Sequence, residues 1–537
     1  MAKIEEKMLF VGAGLSGLST FLEALINVCE VNQGIDNPDE RVLPELTLVS
    51  NRPIGEESFV RTQMFRVHEE VVDLIKIQIG EEIHNKMIAN KDLVPYHFVE
   101  AGGLEEVSVV ERTITPSVVE LGGGLKTEEA YHAVRINELE KAYFKRIKSL
   151  KERYEAMGGK AYIKENTEVK VLGESEVSKG CVQVDFEENR SSYAEDYHVV
   201  VNGSGGRLNT AEAFNARPSE PIRNDPIGNY HATVSFEIGD VTTSPVGDLA
   251  TNRDDVITVD DEAIRSLQKY DMDIDPEARI FSASNNIYVG VEIPEEWHNS
   301  RSELQQTLRK SGLSADDNEL IKARLASLDQ QIAQYALAAT IKTKGMRWGD
   351  YILRACGQEG GTLDAGKFKT TVFPVALKHE EHAFRVLDGG EDGSIGLFLN
   401  MGDSHLNPHY QTGSGAVRII ESSHKFGEML RYRFEAIKGA EEGQTAYSVL
   451  SSNHDVNEDV FYDALDEAPS EGAEDAFYND GYLGALKDFH SYLSSEHHHY
   501  LEKYTFFRSQ RDISNLQAIW QKITQAMEGC GSDRLKE

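Results

Sequence analysis

The chain has 537 residues, 40% of them hydrophobic, which is enough for several domains with buried cores. Lys and Arg number 55 against 90 Asp and Glu, and the formal net charge of −35 opposes binding to nucleic acid backbones or anionic membranes. The four cysteines are widely scattered without CxxC spacing, and no apolar stretch has the length of a signal or membrane span. We therefore expect a soluble, cytoplasmic protein that binds neither nucleic acid nor membrane.

The first predicted unit is a strand over 8–12, a glycine turn and a helix over 15–29. Glycines at the first and second positions of the motif G-x-G-x-x-G allow a tight turn and the close approach of a pyrophosphate, and the third lets the helix pack on the strand. The helix N-terminus then attracts the anion. The pattern predicts a nucleotide site, or else a simple strand-to-helix turn, at Gly12, Ala13, Gly14, Leu15, Ser16 and Gly17.

The second strand is predicted at 46–50, after a polar insertion with two prolines. In a dinucleotide fold, an acidic residue at the end of this strand binds the ribose hydroxyls. Ser50 and Asn51 stand at this position instead. We expect them to form an uncharged ribose contact.

The middle of the chain predicts two kinds of structure. An amphipathic helix over 134–150 leads into a small β-meander over 161–172 and 181–188, and a buried strand over 197–206 ends in a glycine turn. Further on, segments 230–239, 279–294 and 368–377 are extended and partly alternating, with a charged helical block over 299–340 between the last two. This pattern of extended, alternating segments predicts a second domain built on an antiparallel sheet.

The segment 394–430 repeats the strand, glycine and helix arrangement of the first unit. A buried strand is followed by Gly402-Asp403, then Pro408, then Gly413-x-Gly415 at the start of an amphipathic helix. Together with VGAGLSG, the stretch GDSHLNPHYQTGSG resembles the second flavin signature of the class A flavoprotein monooxygenases, the family of para-hydroxybenzoate hydroxylase. The resemblance implies that Asp403 binds the ribityl chain, that Pro408 lies beside the isoalloxazine ring, and that Gly413, Ser414 and Gly415 direct helix N–H groups toward the flavin.

Three shorter stretches resemble the same family. FVRTQM is similar to an arginine-bearing segment of the MICAL branch, which implies that Arg61 lies on the flavin side. VRINELEKAYF implies that Arg135 approaches the FAD phosphates, and NTEVKVL implies that the backbone near Val169 meets adenine. Where the family often has Asp-Gly in a turn linked to FAD and NADPH, this chain has Gly205 in place of the aspartate. The resemblance therefore implies FAD and leaves the use of NADPH open.

Several other features have simpler explanations. His405 and His409 flank the flavin-like loop, and hydrogen bonding to nearby backbone is the first explanation for both. The histidines at 497–499 are consistent with a solvated helical face, so no metal site is predicted. Trp348 and Arg347 are assigned to core packing rather than to a substrate wall. No catalytic residue is named, because the cofactor itself carries the oxygen.

These observations predict an α/β fold: an FAD-binding, Rossmann-like parallel sheet domain, an inserted antiparallel-sheet substrate domain and a C-terminal helical region. The predicted bounds are 1–220 and 388–438 for the two parts of the FAD-binding domain, 221–387 for the inserted domain, and 439–537 for an acidic linker and helical region.

The predicted function is that of an FAD-dependent monooxygenase acting through a flavin hydroperoxide. Its substrate would be a small organic molecule or, as in the MICAL branch, a protein side chain. Two alternatives remain open: a flavin oxidase or dehydrogenase, and a binding or regulatory protein that keeps the flavoprotein fold without redox turnover.

Overall fold

The structure is a computed structural model of the chain. It describes residues 5–61, 64–90, 92–95, 131–188, 191–205, 213–214, 230–238, 279–283, 286–309, 314–344, 346–357, 363–374, 378–379, 384–390, 393–407, 414–440, 444–450 and 481–493. Its strands are β1 Lys7–Val11, β2 Glu45–Val49, β3 Met64–His68, β4 Leu93–Pro95, β5 Tyr131–Arg135, β6 Lys160–Lys164, β7 Glu168–Glu174, β8 Val182–Glu188, β9 Ser191–Tyr197, β10 Val199–Asn202, β11 Tyr230–Glu237, β12 Arg279–Ala283, β13 Asn286–Glu292, β14 Phe368–Pro374, β15 Lys378–His379, β16 Phe384–Asp388, β17 Ile395–Asn400 and β18 Leu406–Asn407.

The helices lie between and after these strands. They are α1 Leu15–Val31, α2 Glu69–Ile79, α3 Glu81–Ala89, α4 Ile136–Ala156, α5 Glu295–Arg309, α6 Ala315–Lys344, α7 Met346–Cys356, α8 Ser414–Lys438, α9 Ala446–Leu450 and α10 482–493. None of the helices in the described ranges is long and apolar enough to cross a membrane.

The main sheet has the strand order β16-β17-β10-β1-β2-β6, and all its strands are parallel except the edge strand β16. Strands β10 and β17 are buried at every residue, as expected for parallel strands covered on both faces. From β1 the chain moves outward to β2 and β6, and then returns to β10 and β17 on the other side of β1. The strand order therefore reverses between β1 and β10, and this is where open α/β sheets bind ligands.

Helices α1 and α8 pack together on this sheet. The ring of Phe10 on β1 meets Phe21 on α1 and Phe426 on α8, with centroids 5.3 and 6.3 Å apart. The two glycine-bearing units that the sequence places about 390 residues apart thus share one core, which confirms the predicted single fold.

The second sheet is antiparallel, with the order β12-β13-β11-β14, and confirms the prediction for the region 230–377. Ala232, Val234 and Phe236 on β11 join the apolar core that this sheet forms with α6 and α7. The alternate positions, including His231 and Ser235, lie on the opposite face because strand side chains alternate.

Two details of the sequence prediction are wrong. Segment 161–164 is not part of the meander: it forms β6 at the edge of the parallel sheet, and the meander consists of β7, β8 and β9. An edge strand alternates in polarity whether its sheet is parallel or antiparallel, so the pattern does not distinguish the two. The helix predicted to start at 134 starts at Ile136, because Tyr131–Arg135 pair with β3 and β4 as a strand.

At the C-terminal end, α10 confirms the predicted helix for residues 482–493, and the rest of that prediction lies outside the described residues.

Arg433 on α8 binds this helix through a buried polar network. Its guanidinium pairs with Glu6 and donates to the hydroxyl of Tyr482 at 2.8 Å. Burial is the largest effect and raises the pKa of the Glu6 carboxyl, but the charge and the hydrogen bond of Arg433, with a smaller effect of His198, together bring the pKa below its usual range. The domain bounds remain predictions.

A second buried charge joins α1 to α8. The Glu23 carboxylate on α1 is 3% exposed; it accepts from Nε2 of Gln78 at 2.8 Å and lies 3.2 Å from Nδ1 of His424 on α8. The hydrogen bond to Glu23 raises the pKa of His424 above its usual range, although burial opposes it. The protonated imidazole therefore stabilises the contact between the two helices.

This pair predicts a pH-dependent stability. Because the folded pKa of His424 is raised, its contribution to the free energy of unfolding is complete below the unfolded-state pKa of about 6.5 and is lost as the pH rises through the folded value. Urea unfolding measured from pH 5.5 to 8.5 should show this loss in the wild type but not in His424→Gln. His298→Gln is the control, because His298 lies on α5, away from the contact between α1 and α8, and this variant should keep the wild-type slope. An unchanged slope in His424→Gln would contradict the assignment.

Candidate functional site

The turn between β1 and α1 is built from glycine close contacts. Gly12 has φ +102°, and a Cβ at this position would lie 2.7 Å from the carbonyl oxygen of Gly203. A Cβ on Gly17 would lie 1.8 Å from the carbonyl oxygen of Gly12. Side chains at either position would push α1 away from the ends of β1 and β10, so the first and third glycines act as the sequence predicts.

The N-terminus of α1 is open. Gly14 is the N-cap residue and has no side chain to cap the helix, and the first turn holds no acidic residue. The hydroxyl Oγ of Ser16 is buried and has no hydrogen-bond partner among the described residues. A buried unpaired hydroxyl is costly. Together with the positive end of the helix dipole, it fits an anionic group with acceptor oxygens.

Three turns meet around Ser16. A Cβ on Gly203, after β10, would lie 3.2 Å from its Oγ, and a Cβ on Gly402, after β17, would lie 3.1 Å from its Cβ. Gly402 has φ +60°, so it turns sharply out of its strand. The Gly-Asp pair of the second motif therefore contacts the helix of the first motif.

Buried amides tie the turns after β10 and β17 to each other. Asn202 donates to Oδ1 of Asn400 at 2.8 Å and accepts from Oγ of Ser204 at 2.7 Å. The N–H of Gly205 donates to Oγ of Ser404 at 3.0 Å. The backbone of Gly205 thus joins the two turns.

Asp403 follows Gly402 in a short 3-10 turn, Gly402–Ser404. Its side chain is open to solvent, yet desolvation by the surrounding protein raises the pKa of its carboxyl, and the charge of Arg61 lowers it in part. An acceptor of hydrogen bonds is therefore placed next to the turns around Ser16.

Arg61 lies across the N-terminus of α1. Its Nη2 is 3.3 Å from the position that a Cβ on Gly14 would take, and the same nitrogen pairs with the Glu140 carboxylate on α4. The residue precedes β3, and its carbonyl accepts from the N–H of Asn137 at 2.9 Å. The Arg61 side chain is 43% exposed, so solvent reaches it.

Arg52 is a site residue that sequence reasoning missed. It follows Ser50 and Asn51, and its Nη2 donates to the carbonyl of Ala13 at 2.9 Å. The Ser50 hydroxyl is buried and accepts from the N–H of Arg52 at 3.2 Å, while Asn51 is exposed. The end of β2 therefore carries a cation that contacts the glycine turn.

Arg135 and Val169, the other two residues predicted to contact the cofactor, have no described contact with the glycine turn. Arg135 is the N-cap of α4, its Nε is buried without a partner among the described residues, and its charge partly offsets the burial that raises the pKa of Tyr288 on β13. No described contact joins Arg135 to the glycine turn. Val169 is half-buried on β7, opposite Phe186.

The described residues include only part of the second predicted motif and of the histidines. Pro408, Gly413, His409 and 497–499 lie outside the described residues. Ser414 begins α8 with Gly415 beside it, and His405 is buried. Among the described residues, no cluster of three or more His, Cys, Asp or Glu could hold a metal ion.

The second sheet contacts the segment that carries Arg61. Nζ of Lys369 on β14 donates to the carbonyl of Val60, one residue before Arg61, at 3.3 Å. Lys369 is opposite Ser235 on β11, on the face that points away from the helices. The sheet's polar face is therefore the one that approaches the segment carrying Arg61.

No protein-family model matches the chain, and no curated protein of similar sequence was found. Among solved structures, PqsL from P. aeruginosa in complex with 2-aminobenzoylacetate matches with a TM-score of 0.45 and 11% identity, over 80% of this chain and 87% of that one. Aklavinone-11 hydroxylase in a ternary complex with FAD and aklavinone matches at 0.42 and 11%, over 80% and 63%. The flavin-dependent halogenase CmlS matches at 0.41 and 12%, over 80% and 59%. At these values the similarities assign neither a family nor an activity.

The geometry of α1 predicts that Gly14→Asp has opposite effects on the fold and on anion binding. The backbone at Gly14 is extended, with φ −91° and ψ −175°, so an aspartate fits there. It would cap α1 and pair with Arg61, stabilising the ligand-free protein by about 0.3–1 kcal/mol. The same carboxylate would repel a pyrophosphate at this position.

We expect Gly14→Asp to unfold thermally at or above the wild-type temperature and to lose binding of ADP, measured by isothermal titration calorimetry. Gly55→Asp is the control, because a Cβ at Gly55 would have no neighbour within 4 Å. Retained ADP affinity in Gly14→Asp would mean that the glycine motif is only a turn.

Proposed function

We propose that the chain binds FAD at the crevice between β1 and β10 and acts as an FAD-dependent monooxygenase. The observation that carries the proposal is the meeting of three turns around the buried hydroxyl of Ser16, which has no hydrogen-bond partner in the described part of the chain, at the uncapped N-terminus of α1. A motif that served only as a turn would not need an open helix end, a buried orphan hydroxyl and a guanidinium at the same point.

The residues fit the parts of FAD one by one. The N–H groups at Leu15 and Ser16, with Arg61, suit a pyrophosphate. Asp403 suits the ribityl hydroxyls, because an ionised carboxylate accepts several hydrogen bonds. Ser50 and Asn51, with Arg52 beside them, lie where the adenosine ribose would be held without a carboxylate.

Three further expectations come from the resemblance. Pro408 and the turn of Gly413, Ser414 and Gly415 would lie along the flavin ring, Arg135 would approach the phosphates, and Val169 would meet adenine. Gly402 and Asp403 precede Pro408 by six and five residues in the sequence, which supports the first of these. The buried Nε of Arg135 has no acceptor among the described residues.

In the proposed mechanism the protein binds, orients and excludes water. Bound FAD would supply the redox and oxygen chemistry. Arg61 and the end of α1 would fix the pyrophosphate, and Asp403 would fix the ribityl chain and with it the position of the ring. The second sheet, joined to the site through Lys369 and Val60, would form the wall that keeps water from the reacting atoms.

The substrate would bind between this wall and the ring. The polar face of the second sheet carries hydroxyl groups, among them Thr233, Ser235 and Thr371, which favour a small organic molecule with hydrogen-bonding groups. A protein side chain, as in the MICAL branch, is the alternative substrate. NADPH is the candidate reductant, although the segment that the family uses for it carries Gly205 instead of an aspartate.

Oxygen consumption tests this proposal. We expect the FAD-loaded wild type to consume oxygen with NADPH or NADH and not without a reductant, and Gly14→Asp to consume none under any condition. Oxidation of an organic substrate without incorporation of oxygen, with hydrogen peroxide equal to the oxygen consumed, would indicate an oxidase. FAD-loaded protein that is reduced neither by nicotinamides nor by light with EDTA as the electron donor would contradict redox turnover and favour a binding or regulatory role.

A further inference from the structure

The Glu140 carboxylate is a charge inside the core. It lies on α4 and its side chain is 1% exposed, next to the apolar positions Leu139 and Tyr143 on the same face of the helix. A buried carboxylate without a partner is strongly destabilising, so its partner has a specific role. That partner is the guanidinium of Arg61, 79 residues earlier in the chain.

Arg61 is held to α4 at two points. Its backbone carbonyl accepts from the N–H of Asn137, and its Nη2 donates to Glu140 one turn further along the helix. Between these anchors the side chain extends along α4, so that its partly exposed head reaches Gly14 at the N-terminus of α1. A free arginine would distribute its head over many rotamers, and ordering it costs conformational entropy.

We propose that Glu140 is a positioning residue that holds the Arg61 guanidinium in place for the pyrophosphate of the cofactor. This role rests on the proposed dinucleotide site and adds to it a residue that is buried in the core. The nitrogen that donates to Glu140, Nη2, is also the one that lies beside the Gly14 position, and the charge of Arg61 also acts on the Asp403 carboxyl. Pairing with Glu140 orders Arg61 before the ligand arrives, so less entropy is lost on binding.

Arg61 and Glu140 would control different properties of the anion site. The attraction of the site for an anion depends on the charge of Arg61, whereas its geometry depends on Glu140. Arg61→Met removes the charge, so it should weaken binding and reduce the dependence of Kd on ionic strength. Glu140→Gln keeps the guanidinium charged and exchanges an ionic for a neutral acceptor, so it should weaken binding while the dependence on ionic strength stays.

The experiment is a double-mutant cycle with ADP, which carries the pyrophosphate without the flavin, and with FAD. Glu140→Gln should raise Kd for both about fivefold to tenfold in the wild-type background and leave it unchanged in the Arg61→Met background. Glu138→Gln is the matched control, because Glu138 lies two residues away and pairs with Lys141 instead. Kd should be measured at several salt concentrations for every variant.

Each outcome decides the question. Equal losses in both backgrounds would show that Glu140 acts through the fold and not through Arg61, and tighter binding by Glu140→Gln would show that the carboxylate competes with the ligand; either result overturns the proposal. If the wild type binds ADP but not FAD, the flavin proposal fails while the cycle with ADP still tests Glu140. If it binds neither, both proposals fail.

Discussion

The contact between Gly17 and the carbonyl of Gly12 is the constraint on which the rest of the site depends. Because neither residue has a side chain, α1 packs directly on the end of β1, where a Cβ at Gly17 would lie 1.8 Å from the carbonyl oxygen. This approach brings the first turn of α1 to the reversal of strand order between β1 and β10. Only then can the turns at Gly203 and Gly402 close around Ser16.

Two positively charged side chains lie at the glycine turn of a chain that is negatively charged overall. The whole protein is strongly acidic, with a formal net charge of −35, yet Arg52 and Arg61 both lie at the glycine turn. A local positive field at a helix N-terminus, in a protein that repels anions elsewhere, concentrates an anionic ligand at one place.

The sequence predicted what short patterns determine and missed what long-range packing determines. The glycine motif, the buried strands and the antiparallel second sheet follow local rules of turn chemistry and periodicity, and the structure has them. Arg52 and Glu140 were missed because their partners are 39 and 79 residues away, although a glutamate on the apolar face of the helix over 134–150 was a signal for a buried ion pair. The strand at Tyr131–Arg135 was missed because its partners in β3 and β4 are non-local.

The most direct test of the central claim, that the crevice between β1 and β10 binds FAD, is a titration of the purified wild-type protein with FAD. Bound and free flavin would be separated by ultrafiltration and measured by their visible absorbance. The account predicts saturable binding of one FAD per chain, with ADP as a competitor, because both ligands place a pyrophosphate at the N-terminus of α1. Binding that does not saturate, or FAD binding that ADP leaves unchanged, would contradict it.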